Sequence, residues 1–282
     1  RKVSEVVTLK EIWSEDEKVL GCARSDILSK LPRRLSHSIL KWAEISPHAP
    51  AVVGNATTLT YAALQQAVTE SIEFLKSKGV RPGDRVMLVA ENGIALMCLF
   101  LALSEMDAIA AVINARLSER ELGLIQQDCD PRIVVFTTDD STDAQAHGKR
   151  LGALADQLSF AKVATSTEFE ASPETVHADP AEQVLAMIYT TGTTGSPKGV
   201  MLTHANLMAN AVHTQLAQPL LEDDRYLTMA PMFHAAGVYC TLSVIWVGAA
   251  NVVQPAFDPS VTLDLVQAEN ITGAIAVPSM LA

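Results

Sequence analysis

The chain has 282 residues, of which 49% are hydrophobic and 19% charged, a balance that gives a globular protein with a large core and excludes a disordered one. Its formal charge of −11 argues against nucleic acid as a partner, because such binding leans on cationic contacts to phosphate. Cys22, Cys98, Cys129 and Cys240 form no C-x-x-C pair, so neither a disulfide framework nor a zinc site is expected, and a reducing, cytoplasmic setting fits.

Up to about Pro32 no pattern stands out. Leu35 to Ile45 has helical spacing, with Leu35, Ile39, Trp42 and Ala43 on one face. Ala51 to Val53 reads as a short strand before a turn at Gly54-Asn55. Tyr61 to Lys76 is helical, and Lys78-Gly79 supplies a stop. Arg85 to Ala90 is a strand, Ala95 to Leu103 a buried helix containing Cys98, and Ala108 to Ile113 another strand. Ser118 is placed to cap a helix that runs to about Gln127. Arg132 to Phe136 is a strand, and Thr137 to Gly148 reads as a polar loop. Strands alternating with helices predict an α/β fold with layered parallel or mixed sheets. A second α/β unit is expected to begin near Glu182.

Tyr226 to Phe257 contains no Asp, Glu, Lys or Arg, and Ala235 to Val253 is nearly long enough to span a bilayer. Gly237, Gly248 and Asn251 interrupt it, and no Lys or Arg follows to flank it. A buried helix, a glycine turn near Gly248 and a strand at Val252-Val253 fit better than a transmembrane segment.

The densest chemical signal is Tyr189-Thr-Thr-Gly-Thr-Thr-Gly-Ser-Pro-Lys-Gly-Val200. It holds three glycines, four threonines, a serine and one lysine, and an apolar strand, Val184 to Tyr189, leads into it. Gly192 and Gly195 permit close backbone approach to a ligand. The hydroxyls of Thr190, Thr191, Thr193, Thr194 and Ser196 can surround phosphate oxygens, Pro197 restrains the exit, and Lys198 supplies a cation. Counting from Gly192 puts Lys198 at P-loop distance. Pro197, however, stands where that motif needs its second glycine, and Gly199 replaces its metal-binding hydroxyl, so a P-loop NTPase fits poorly.

The segment closely resembles the phosphate-binding signature of the adenylate-forming superfamily, which includes acyl-CoA synthetases, aryl-CoA ligases, luciferases and peptide-synthetase adenylation domains. Weaker likenesses follow in the family's order: Val80-Arg-Pro-Gly-Asp-Arg-Val86, Met87 to Asn92, Ile113-Asn-Ala-Arg-Leu117, Leu202 to Leu207, Ala230 to Gly237 and Ile271 to Leu281. The resemblance implies an incomplete large N-terminal domain, with an extension over 1–33, a first α/β subdomain over 34–180, a second over 181–282, and no C-terminal lid domain. The family's Tyr-Gly-x-Thr-Glu, ribose-binding, hinge and C-terminal lysine motifs are not found in the sequence.

The implied reaction joins a carboxylic acid to ATP as an acyl-adenylate and then transfers the acyl group to CoA. The resemblance puts Thr190 on Mg2+, Lys198 and the loop on ATP phosphates, and His234 beside the carboxylate pocket. A buried packing histidine is the competing reading of His234, and local packing explains His204 equally well. Amino-acid-activating relatives carry an aspartate near His234, and Pro231 to Gly237 has none. A fatty acid is therefore the first expectation and an aryl acid of the coumarate type the alternative. A short homologue that binds nucleotide without turnover is a third reading. At Met106-Asp107-Ala108, where glycine-alanine is usual in the family, a changed turn or strand start is expected.

Overall fold

The computed structural model describes residues 17–18, 23, 26, 30–54, 57–191 and 197–281. Most of the expected 1–33 extension, Cys22 and the loop tip Gly192 to Ser196 lie outside these residues. Two sheets organise the chain, and helices cover them. The seven-stranded sheet has the order β6-β7-β5-β3-β4-β8-β9. Its strands are β3 (Arg85–Ala90), β4 (Ile109–Asn114), β5 (Ile133–Thr137), β6 (Leu154–Gln157), β7 (Lys162–Thr165), β8 (Val184–Thr191) and β9 (Pro197–Thr203). Its centre is parallel, whereas β6 and β7 at one side and β9 at the other pair antiparallel.

The five-stranded sheet has the order β12-β10-β11-β1-β2. It comprises β1 (Pro50–Val53), β2 (Thr58–Thr60), β10 (Arg225–Thr228), β11 (Ala250–Val253) and β12 (Gly273–Ala274). Here β1 lies parallel to β11, with Val52 opposite Asn251. The expected division at residues 180 and 181 does not separate the sheets. β8 and β9 complete the sheet begun by β3 to β5, and β1 and β2 complete the sheet formed by β10 to β12.

Strand faces explain why the central runs are apolar throughout. Val86, Leu88 and Ala90 enter the main core, while Met87 and Val89 enter the cluster on the opposite face. A strand covered on both faces loses the alternation of a half-exposed one. The helix α3 (Ile94–Glu105; α1 is His37–Ile45 and α2 Tyr61–Ser77) is buried from Ile94 to Ser104. It has no polar stripe because it has no solvent face. Helix α4 (Glu119–Cys129) begins at the expected Ser118, whose hydroxyl accepts from the Glu121 N–H while the Glu121 carboxylate accepts from the Ser118 N–H.

The expected loop over Thr137 to Gly148 is instead mostly helix α5 (Thr142–Arg150), capped by the Ser141 hydroxyl accepting from the Ala144 N–H. Only Ala144, His147 and Gly148 of it are buried, so its apolar stripe is too thin to show in the sequence. Asp107 occupies the left-handed region at φ 53°, the conformation that the more usual glycine adopts without strain. Its carboxylate accepts from both Nε (3.1 Å) and Nη2 (2.6 Å) of Arg34, which ties the segment before α1 to the start of β4.

The long uncharged stretch resolves as anticipated. It folds into helix α7 (Ala235–Val247; α6 is His204–Ala217), then Gly248 at φ 86°, then β11. A Cβ on Gly248 would lie 2.5 Å from the Trp42 ring, so glycine serves both the turn and the packing. No helix among the described residues is long and apolar enough to cross a membrane.

Candidate active site

The hydroxyl-rich segment is carried by a β8–β9 hairpin. Tyr189 pairs with Gly199, Thr190 with Lys198 and Thr191 with Pro197. Directly opposed residues of an antiparallel pair project to the same side. Thr190 and Lys198, both exposed, therefore share one face at the base of the loop. Gly192, Thr193, Thr194, Gly195 and Ser196 lie outside the described residues.

Tyr189 anchors the hairpin. Its hydroxyl donates to Asp128 Oδ2 on α4 at 2.7 Å, and burial, reinforced by that bond, pushes its pKa up. A Cβ on Gly199 would lie 3.1 Å from the Tyr189 ring and 2.6 Å from the Met187 methyl. The glycine that breaks the P-loop pattern thus makes room for the tyrosine beside it.

A cavity of about 300 Å3 opens next to the hairpin. Val112, Ile113, Leu117 and Ile125 give it an apolar wall, with Tyr189 and Phe233 as aromatic members. Thr190, Pro197 and His234 also line it, together with Asn114 and Glu121. Three residues singled out from sequence therefore meet in one cavity, although forty or more positions separate Thr190 from His234. Lys198 shares the face of Thr190 at the base of the loop but is not part of this lining. The polar chemistry of Asn114 and the aromatic edge of Tyr189 were not identified from sequence as site features. Both lie in segments quoted for family likeness, but only folding turns them to the cavity.

His234 is exposed, not buried as its uncharged surroundings suggested. It occupies the N-cap of α7 with extended backbone (φ −114°, ψ 149°), and its N–H donates to Pro231 O at 3.0 Å. Its ring lies 4.9 Å from that of Phe233, tilted by 56°. Gly237 has no room for a side chain, since a Cβ would stand 2.0 Å from Pro231 O. This close approach turns the chain sharply before α7 and presents His234 outward.

His204 behaves differently. It is 1% exposed, and its Nδ1 accepts from the Leu35 N–H at 3.1 Å. Burial lowers its pKa to about 4, so it is neutral at pH 7 and acts as a packing residue. The carboxylate of Glu121 at the cavity is engaged by the Ser118 N–H at 2.8 Å and the Ser118 hydroxyl at 2.6 Å. Among the described residues no group of three or more His, Cys, Asp or Glu could hold a metal ion. Thr190 offers one neutral hydroxyl oxygen beside this cavity.

Comparison with known proteins matches residues 39–282 to the family model described as AMP-binding enzyme. A feruloyl-CoA synthase from Amycolatopsis sp is 36% identical over 242 residues, covering 84% of this chain and 47% of that protein. A 2-succinylbenzoate--CoA ligase from Bacillus cereus is 32% identical over 243 residues, covering 86% and 48%. The chain thus spans about half the length of these curated relatives. The inhibitor-bound N-terminal domain of FACL13 from Mycobacterium tuberculosis superimposes with a TM-score of 0.72 at 26% identity, over 88% of this chain and 64% of that one.

Proposed function

We propose, from the premise that this chain belongs to the AMP-binding enzyme family, that it is the nucleotide-loop portion of an AMP-forming acid–thiol ligase. The reaction has two steps. A carboxylate oxygen attacks the α-phosphate of ATP, forming the acyl-adenylate and releasing pyrophosphate. The CoA thiol then attacks the acyl carbon, giving the thioester, and AMP departs with the electrons of the broken acyl–oxygen bond.

The roles follow from placement. Thr190 and Lys198, paired at the base of the loop, offer a hydroxyl and a cation to the phosphates. Preorganised donors of this kind act where charge develops as pyrophosphate leaves. Mg2+ would offset phosphate charge, with the Thr190 hydroxyl as its protein oxygen. Phe233 and His234 form the acid side of the cavity, and the exposed imidazole is free to contact the carboxylate.

An aryl acid is the better reading of the substrate than the fatty acid first expected from sequence. The supporting observation is that the curated relatives at 32–36% identity are named for feruloyl and succinylbenzoate substrates. The aromatic edges of Tyr189 and Phe233 in the cavity suit a planar ring. Pro231 to Gly237 contains no acid and the Glu121 carboxylate is already engaged by Ser118, which weighs against an amino-acid substrate. Cys98, Cys129 and Cys240 are free and buried, which supports a reducing, cytoplasmic setting.

The test is pyrophosphate release by the full-length parent with ATP and either ferulate, 2-succinylbenzoate, palmitate or an amino acid. Release with the aromatic acids above the others is expected. A preference for palmitate restores the fatty-acid reading, and no acid-dependent release removes the ligase.

A further inference from the structure

The cavity has walls from two sheets. Thr190 and Pro197 stand on β8 and β9 of the seven-stranded sheet, whereas Phe233 and His234 follow β10 of the five-stranded sheet. Their separation is set by whatever couples the sheets at that place. Asn92, 1% exposed, lies just after β3 and reaches across. Its Nδ2 donates to Ala230 O at 3.0 Å and Thr228 O at 3.3 Å, and its Oδ1 accepts from the Met232 N–H at 2.9 Å. Turning the amide over would set its oxygen against two carbonyls and its NH2 against an N–H, so the bonding fixes one orientation.

The same segment is also closely approached by the first turn of α7. A Cβ on Gly237 would meet Pro231 O at 2.0 Å and Ala230 O at 2.6 Å. Asn92 and the first turn of α7 thus both hold close to the Ala230–Pro231 backbone. His234 is the next residue but two, and its N–H is held by Pro231 O.

We propose that Asn92 is a positioning residue for the carboxylic-acid pocket: its side-chain amide holds the 228–232 backbone of one sheet against the end of β3 in the other and so places Phe233 and His234 opposite Thr190. It touches no substrate. Its effect reaches the acid and spares the nucleotide side, because Thr190, Pro197 and Lys198 are held by the β8–β9 pairing. This inference rests on the ligase reading above.

The experiment compares Asn92→Ala and Asn92→Asp with wild type in the full-length parent. Leu75→Ala, in the core of α2, serves as a control for lost stability. Asn92→Asp keeps the shape and the acceptor but turns a carboxylate toward two carbonyl oxygens. The KM for the aromatic acid rises about tenfold in both Asn92 variants, as expected for small misplacement of a binding group, while the KM for ATP stays within twofold. In Leu75→Ala the Tm falls and neither KM moves. Where Asn92→Ala does not fold, Asn92→Ser retains a shorter donor and acceptor and gives the same split at smaller size. An acid KM within twofold of wild type, or equal rises for acid and ATP, overturns the proposal.

A second readout does not depend on turnover. The imidazole NMR signal of His234, assigned by its loss in His234→Ala, shifts in the Asn92 variants and not in Leu75→Ala. An unmoved signal overturns the positioning role. If the wild-type parent releases no pyrophosphate with any acid, the ligase reading falls by itself and the His234 signal decides the role of Asn92.

Discussion

Tyr189 lies directly opposite Gly199 across the β8–β9 pairing, and its ring, with the Met187 methyl, crowds the space in which a side chain at position 199 would stand. The hydroxyl at the far end of that ring bonds Asp128 on α4 at 2.7 Å. One aromatic side chain therefore covers a strand glycine, fixes the hairpin to a helix and edges the cavity.

Gly199→Ala forces the Tyr189 ring and the Met187 methyl to move. Overpacking of this kind costs about 1–3 kcal/mol. A lower Tm is expected, together with a smaller loss in Tyr189→Phe, which removes only the bond to Asp128. Urea melts of the two variants check this. A Gly199→Ala protein as stable as wild type would show that the tyrosine has room to shift.

Lys198→Ala removes an exposed cation and leaves the fold intact. A charge-assisted hydrogen bond is worth about 1.5–3 kcal/mol, so ATP use by the parent falls roughly ten- to a hundredfold. Unchanged ATP kinetics would reduce Lys198 to a surface residue.

Thr190→Val keeps the β-branched shape suited to the strand and deletes the hydroxyl. The magnesium dependence of pyrophosphate release is expected to move to higher concentration. A titration that overlays wild type counts against a role on the metal or phosphates.

His234→Ala changes an exposed N-cap that makes no side-chain capping bond, so the Tm is expected to hold. The KM for the acid rises by about tenfold, the loss of one polar contact of about 1.4 kcal/mol, with the KM for ATP unchanged. Equal effects on both substrates would place the imidazole away from the carboxylate.

His204 makes stability depend on pH. Its folded pKa, lowered by burial to about 4, is below its unfolded value of about 6.5, so the unfolded chain binds the extra proton first. Its contribution is complete above about pH 6.5, fades as pH falls toward 4, and amounts to about 3 kcal/mol over that interval. Asp140, pushed up to about 6 by burial and by Asp139, acts with the opposite sign over an overlapping interval. The histidine is therefore read as the difference between wild type and His204→Asn in urea melts from pH 7 to pH 4. Parallel pH profiles for the two would rule it out.

Local chemistry in the sequence was enough to place many elements. β3 was legible to the residue because an apolar run between a charged turn and the Glu91-Asn92-Gly93 break has one economical conformation. Ser118 announced α4 through a side chain that satisfies an N–H at the helix start. Gly248 announced the end of α7, since a left-handed turn is cheap only for glycine. The hydroxyl-rich segment suggested phosphate chemistry through its composition alone. What sequence periodicity reports is burial and not partner. It could not say that β1 lies beside β11, nearly two hundred residues away, or that β8 joins β4 in a sheet begun before the expected boundary at 181. It missed α5, whose face to the core is only three residues wide. It also placed His234 in apolar surroundings, whereas the Gly237–Pro231 approach turns its ring outward. The cavity exists only in the tertiary structure, because its walls come from two sheets, and contacts such as those of Asn92, made by atoms far apart along the chain, hold those sheets at one separation.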